Sequence, residues 1–249
     1  GGDVTVTAAN SVSLSGTGTG LFSTASSTGA GGDINVQAPQ VQILDGATMS
    51  ADSTGTATAT AGNVNIVTSD LNMQNGSITT GATLADGGNI SITTTGSIVQ
   101  LTDSKITTSV QSGVGGGGNI TIDSDLVVLN DSQILANAFG GPGGNINITA
   151  DVFLVNSGGK LPTSLAGIVD ASSALSTPGT INIEAAFTDV AGEVAQLPEA
   201  PLQATELLRA SCAARFAGGK ASSLVLGGRD GVPIQPGGLL PSPLYLASE

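Results

Sequence analysis

Apolar residues in this chain recur two apart in short runs, and the runs themselves recur at a longer interval. The plainest run follows a glycine. Gly32-Asp33-Ile34-Asn35-Val36, Gly62-Asn63-Val64-Asn65-Ile66, Gly88-Asn89-Ile90-Ser91-Ile92, Gly118-Asn119-Ile120-Thr121-Ile122 and Gly144-Asn145-Ile146-Asn147-Ile148 share one pattern. Gly2-Asp3-Val4-Thr5-Val6 precedes them and Gly179-Thr180-Ile181-Asn182-Ile183 follows. The steps between these glycines are 30, 30, 26, 30, 26 and 35 residues. Alternation with period two marks a strand with one face turned inward. One small β unit repeated at such an interval marks a solenoid, whose coils bury their apolar faces against their neighbours.

Each repeat continues in the same order. A corner such as Ala38-Pro39-Gln40 leads to a second alternating pair: Val12/Leu14, Val41/Ile43, Leu71/Met73, Val99/Leu101, Val127/Leu129 and Val152/Leu154. A polar turn ends it, at Asp45-Gly46, Asn75-Gly76, Asp103-Ser104, Asp131-Ser132 or Asn156-Ser157. Asp and Asn tolerate left-handed backbone, and Gly supplies positive φ. A third short strand points Met49, Ile78, Ile106 or Ile134 inward, and a Gly/Ser/Thr/Ala loop returns the chain to the next anchor. Length variation is expected in that loop, Ala51–Ala61 against Gly81–Gly87.

Three strands per coil with parallel stacking predict an all-β fold, a right-handed parallel β-helix (solenoid) of about seven coils. It would span residues 1–190 and, at ~4.8 Å per coil, run roughly 34 Å. An antiparallel sandwich would explain the turn dipeptides but not the matched anchors. The expected inward ladders include Ile90, Ile120 and Ile146, and also Val99, Val127 and Val152.

From about Ala185 the pattern stops. Residues 191–249 read as a linker at Leu197–Pro201, a short helix over Gln203–Phe216 and a strand at Ser223–Leu226. Leu208, Cys212 and Phe216 fall on one face of that helix. With prolines at 233, 236, 241 and 243, the rest should be extended. A segment this short cannot bury a core alone. It is expected to cap the last coil of its own chain or to connect to the first coil of the next, which gives self-association through the C-terminal tail.

Composition narrows the function. Aromatics are 2% and charged residues 10% of 249, with neither Trp nor His, so the core must be stacked Val, Ile, Leu and Ala. The formal charge is −13, and residues 1–200 hold 16 acidic and 2 basic side chains. Such a body offers phosphates no cationic cluster, which excludes nucleic acid as a partner. Cys212 is the only cysteine, so neither an internal disulfide nor a cysteine-based zinc site can form. Its readings are a buried inert thiol or an intermolecular link at a surface. No run of apolar residues is long enough to span a membrane, and the start in mid-repeat leads us to expect a longer parent chain.

Candidate chemistry is thin. Polysaccharide lyases and hydrolases need clustered carboxylates, often beside a basic group. Asp103 and Asp131 should stack at equivalent turns, with Asp123 and Asp125 near them. Asn75 and Asn156, however, take the same place in other coils, and a role that Asn fills equally well is structural. The body carries only Lys105 and Lys160 as cations. Stacked carboxylates could hold Ca²⁺ weakly, but Gly115–Gly118 departs from the calcium nonapeptide because Ile120 stands where Asp belongs. Val114–Gly118 lacks the Gly-Lys-Ser/Thr of a phosphate loop. Thr93-Thr94-Thr95 suggests an ice-binding ladder, but the uneven coil lengths break the lattice it needs. No catalytic, cofactor-binding or metal-ligating residue is assigned, and no cofactor is expected.

The anchors and turns over residues 1–185 resemble the haemagglutinin-like large exoproteins of two-partner secretion in Gram-negative bacteria and cyanobacteria. Ser211-Cys212-Ala213-Ala214-Arg215 and Ser222-Ser223-Leu224-Val225-Leu226-Gly227-Gly228-Arg229-Asp230-Gly231-Val232-Pro233 look like the C-terminal signature of such proteins. The resemblance implies a right-handed β-helix and a non-catalytic role as adhesin stalk or extracellular filament subunit. It further implies export through an outer-membrane secretion pore of the two-partner type. The partner would be a host, neighbouring-cell or matrix glycan or protein surface, met at the cell surface. A glycan-binding or polysaccharide-degrading β-helix is the alternative.

Overall fold

The structure is a computed structural model that describes residues 1–55 and 59–187. It is all-β: a parallel β-solenoid of about five turns, without a helix among the described residues. Three ladders of strands build it. The first stacks Val4–Thr7, Ile34–Gln37, Val64–Thr68, Ile90–Thr94, Ile120–Asp123, the start of Ile146–Asn156, and Ile181–Phe187. The second stacks Ser11–Ser15, Gln40–Leu44, Asp70–Gln74, Ile98–Thr102, Leu126–Asn130 and the end of Ile146–Asn156. Gly20–Phe22, Thr48–Ser50, Ser77–Thr79, Lys105–Thr107, Gln133–Leu135 and Val169–Asp170 make the third. Every strand pairing is parallel, each strand bonded to its counterparts in the adjacent coils.

The inward rows follow from register. Ile90, Ile120 and Ile146 are paired one above another and lie at 1%, 0% and 0% exposure, as the alternation predicts. Leu71, Val99 and Val127 form the next row, and Ile78, Ile106 and Ile134 the third. Among the described residues these rows make one continuous core in which the aromatic is Phe153.

Phe153 corrects one expected row. In the sixth coil Val127 pairs with Phe153, and Val152 pairs with Leu126. Phe153 and Val155 therefore face inward while Val152 and Leu154 face out. All four residues from Val152 to Val155 are apolar, so alternation alone cannot choose a face. Spacing from the preceding strand can: Val36 to Val41, Ile66 to Leu71, Ile122 to Val127 and Ile148 to Phe153 are equal steps.

The anchor glycine is required by closeness. A Cβ on Gly88 or Gly118 would collide with the carbonyl of the anchor glycine one coil earlier. Only a residue without a side chain lets the backbones pass at that point. The same glycine closes its coil. Gly62 N–H donates to Ala51 O, Gly88 to Thr80, Gly118 to Thr108, Gly144 to Ala136 and Gly179 to Ala171, at 2.7 to 3.2 Å. Thr80 and Thr108 hydroxyls donate back to Gly88 O and Gly118 O at 2.7 Å. The neck of the return loop is thus fixed, whatever the loop length beyond it.

Loop length explains only part of the uneven steps. In the fourth coil the corner Thr95–Ser97 is longer than the single residue Ser69 of the third. In the sixth, an excursion follows Ser157, which bridges Lys160 antiparallel, with Gly158 and Gly159 at φ 59° and 74°. The expected seventh coil has one described strand, Ile181–Phe187. The C-terminal helix, the Ser223–Leu226 strand and the proline-rich tail lie outside the described residues.

Candidate functional site

The carboxylates weighed as catalytic sit at two separate corners. Asp103 and Asp131 stack, as expected, between the second and third ladders, because Thr102 pairs with Asn130. Asp45, Asn75, Asp103 and Asp131 all hold left-handed backbone, with φ of 56°, 52°, 48° and 47°. Short polar side chains are the non-glycine residues that bear this conformation at least cost. Asn156 does not share the slot: it pairs with Asn130, so Ser157 follows Asp131 in register.

The turn is held by its own polar groups. Ser104 Oγ accepts from Gly76 N–H at 3.1 Å and donates to Thr102 O at 2.6 Å. Ser132 Oγ repeats this one coil on, accepting from Ser104 N–H at 3.0 Å and donating to Asn130 O at 2.7 Å. Asp45 accepts from Ser15 Oγ at 2.8 Å and Asp131 from Gly158 N–H at 2.6 Å. Lys105 and Gln133 line the same shallow cleft.

Asp123 faces outward from the first ladder, between Thr93 and Thr149. Asp125 stands at the corner before Leu126, where its carbonyl accepts from Asp151 and Val152 N–H. The strand Leu126–Asn130 separates this corner from the Asp103 and Asp131 turn. The four carboxylates therefore form two separate sets rather than one cluster, and Asp103 and Asp131 share their turn with Asp45 and Asn75, a place that an amide fills equally well. Among the described residues, no three His, Cys, Asp or Glu side chains gather as a metal set would. Cys212 lies outside the described residues.

What the coils do repeat is an outward polar row after the anchor glycines, amide in its middle and carboxylate at its start. Asp33, Asn63, Asn89, Asn119 and Asn145 follow the anchor glycines. Each Oδ1 accepts the backbone N–H of the equivalent residue one coil on, at 2.8 to 3.0 Å. Nδ2 of Asn63, Asn89 and Asn119 donates to the Oδ1 one coil back, at 2.9 to 3.2 Å. Side-chain amides thus extend the backbone ladder sideways and stiffen it along the stack.

A fourth minor ladder runs through the return loops, at Ala25, Ser53, Ala82, Val110, Ala138 and Ser173. Ala82, Val110 and Ala138 form a small satellite core there. Its signal was present in the chain: each residue stands four places after an inward residue of the third strand, Ile78 to Ala82 for example.

Two outer faces remain as candidate surfaces. The first ladder presents Thr5, Asn35, Asn65, Ser91, Thr121, Asn147 and Asn182 in register, a polar uncharged row. The second ladder presents Ile98, Leu126 and Val152 in register, with Val128 and Leu154 beside them. No protein-family model, curated protein or solved structure matches the chain.

Proposed function

We propose that this chain is part of a non-catalytic bacterial surface exoprotein, serving as an adhesin stalk or extracellular filament subunit. One observation carries this reading. Ser104, Ser132 and the side chains of the polar row hold coil to coil, and the four carboxylates weighed for catalysis are divided between two corners. A stack in which polar groups serve the scaffold suits a spacer that resists extension better than it suits a reaction site. A right-handed winding agrees with the chirality of parallel crossovers, and seven anchors agree with seven coils. On this reading the protein reaches the outer surface of a Gram-negative bacterium or cyanobacterium through a two-partner pore. There it meets a glycan or protein of a host, a neighbouring cell or the matrix, and copies associate with one another.

Glycan binding is the second reading, favoured by the outer face of the first ladder. Its Asn and Thr rows repeat at the coil spacing of ~4.8 Å, so that amides and hydroxyls lie in line along the stack. A polysaccharide panel incubated with the protein separates the readings. The scaffold role predicts no cleavage of any member and normal folding of Asp103→Asn. Cleavage abolished by Asp103→Asn would overturn it. Retention of the chain on an insoluble glycan, lost in Asn65→Ala with Asn147→Ala, would favour the second.

A further inference from the structure

The outer face of the second ladder changes character along the stack. In the first three coils it carries Ser11, Ser13, Gln40, Gln42, Asp70 and Asn72. In the next three the equivalent positions hold Ile98 and Gln100, Leu126 and Val128, then Val152 and Leu154. All five apolar residues are half-buried, and none belongs to the core, which lies on the other side of their strands. The next row on the same face is Thr102, Asn130 and Asn156, so the nine positions carry no charge on a chain of net −13. A strand apolar on both sides is the mark of a sheet covered on both sides.

We propose that this face pairs laterally with the same face of a second copy of the chain. Three features of the face select that occupant. It is the outer face of a parallel sheet, and sheets pack face to face on sheets about 10 Å apart. Its apolar ridges repeat at the coil spacing, and another copy presents ridges at the same spacing, so the two sets interdigitate along their whole length. It is also uncharged, which lets two strongly acidic bodies meet where their repulsion is least. The contact is isologous, with Val128 at the centre of the apolar set and close to its own equivalent.

Size sets the strength. Five residues by three coils cover roughly 250 Å² per copy, well under the ~800 Å² per partner of a stable complex. The pairing is therefore weak for one pair of copies and gains from number when many copies are held side by side. It is independent of where the protein works and of what else it binds.

Cysteine crosslinking of the full chain tests this. In a Cys212→Ser background, Val128→Cys is compared with Thr121→Cys, which lies on the outer face of the first ladder in the same coil. Under mild oxidation at high concentration, Val128→Cys should give about tenfold more covalent dimer than Thr121→Cys, and adding Leu154→Lys should reverse that gain. The excess should also fall on dilution. Equal crosslinking at the two positions overturns the proposal, as does dimer that Leu154→Lys leaves unchanged. A Val128→Cys thiol shielded from a small reagent at every dilution, without crosslinking, also overturns it, because the chain's own residues would then cover the face.

Discussion

The outer faces of the first and second ladders rest on the same kind of inward row and the same parallel register, yet they carry opposite chemistry. Thr121 and Val128 are in one coil, on neighbouring strands, both pointing away from the core. Around Thr121 the row is Asn, Ser and Thr, whereas the two rows through Leu126 and Val128 hold Ile, Leu and Val with the single polar residue Gln100. The solenoid needs only its inward residues, its anchor glycine and its turns, so outward positions are free to record what they meet. A row of hydroxyls and amides meets water or a polar ligand. An apolar uncharged island of the same dimensions meets another apolar surface.

Placing one charge on each side of a single strand breaks the comparison most sharply. Ile120 is fully buried and Thr121 is exposed. Ile120→Asp puts an unpaired carboxylate in the middle of the stacked core and should cost several kcal/mol, enough to abolish cooperative unfolding. Thr121→Asp should stay within about 0.5 kcal/mol of the parent. Urea denaturation followed by circular dichroism reads both. An Ile120→Asp chain that unfolds at the parent midpoint would mean that the first ladder's inward row is wrongly identified.

The same contrast in the sixth coil sharpens the second face. Phe153 is 2% exposed and packs in the core, whereas Leu154 lies on the outer island. Phe153→Ala should cost about 3 kcal/mol, through lost burial and the cavity left behind. Leu154→Ala should cost well under 1 kcal/mol in a dilute sample. Were Leu154→Ala the costlier of the two, the strand would be turned by one residue, with Phe153 and Val155 on the outer island in place of Val152 and Leu154.

Phe153 also marks where reading the chain by alternation stops working. The anchors and the inward rows of the first ladder are legible because apolar and polar residues alternate there and each coil repeats the last. Val152-Phe153-Leu154-Val155 is apolar on both faces, so the rule has nothing to choose between. The coupling of inward rows across a corner chooses, through a five-residue step that three other coils share. Asn156 was misplaced by the same slip of one residue. The Asp103 and Asp131 turn was legible from its residue types, since only Asp, Asn and Gly suit the backbone there. The neck bonds of Gly88 and Gly118 were hidden because a backbone N–H leaves no trace in composition. The fourth ladder shows in the chain only as a fixed four-residue step from the third strand, because Ala25, Ser53 and Val110 differ in type while sharing a position.

The smallest expected effect lies in the amide row that borders the first face. Asn63, Asn89 and Asn119 each both accept and donate along the stack, but Asp33 and Asp3 at its start only accept. Asp33 N–H donates to Asp3 Oδ1 at 2.9 Å, which sets two carboxylates one above the other without a donor between them. Asp33→Asn keeps the oxygen that receives Asn63 N–H and Nδ2, at 2.8 and 2.9 Å, and adds an Nδ2 donor toward Asp3. It also removes one of two like charges spaced by a single coil. Both changes act in one direction, so the variant should be more stable by about 0.5 kcal/mol, seen as a higher urea midpoint at unchanged slope. The part due to relieved repulsion should shrink as salt is raised, and the part due to the new hydrogen bond should persist. A destabilised Asp33→Asn would mean that the carboxylate at this rung is held by a group other than its neighbours in the row, and that the polar face is not the uniform ladder its bonds describe.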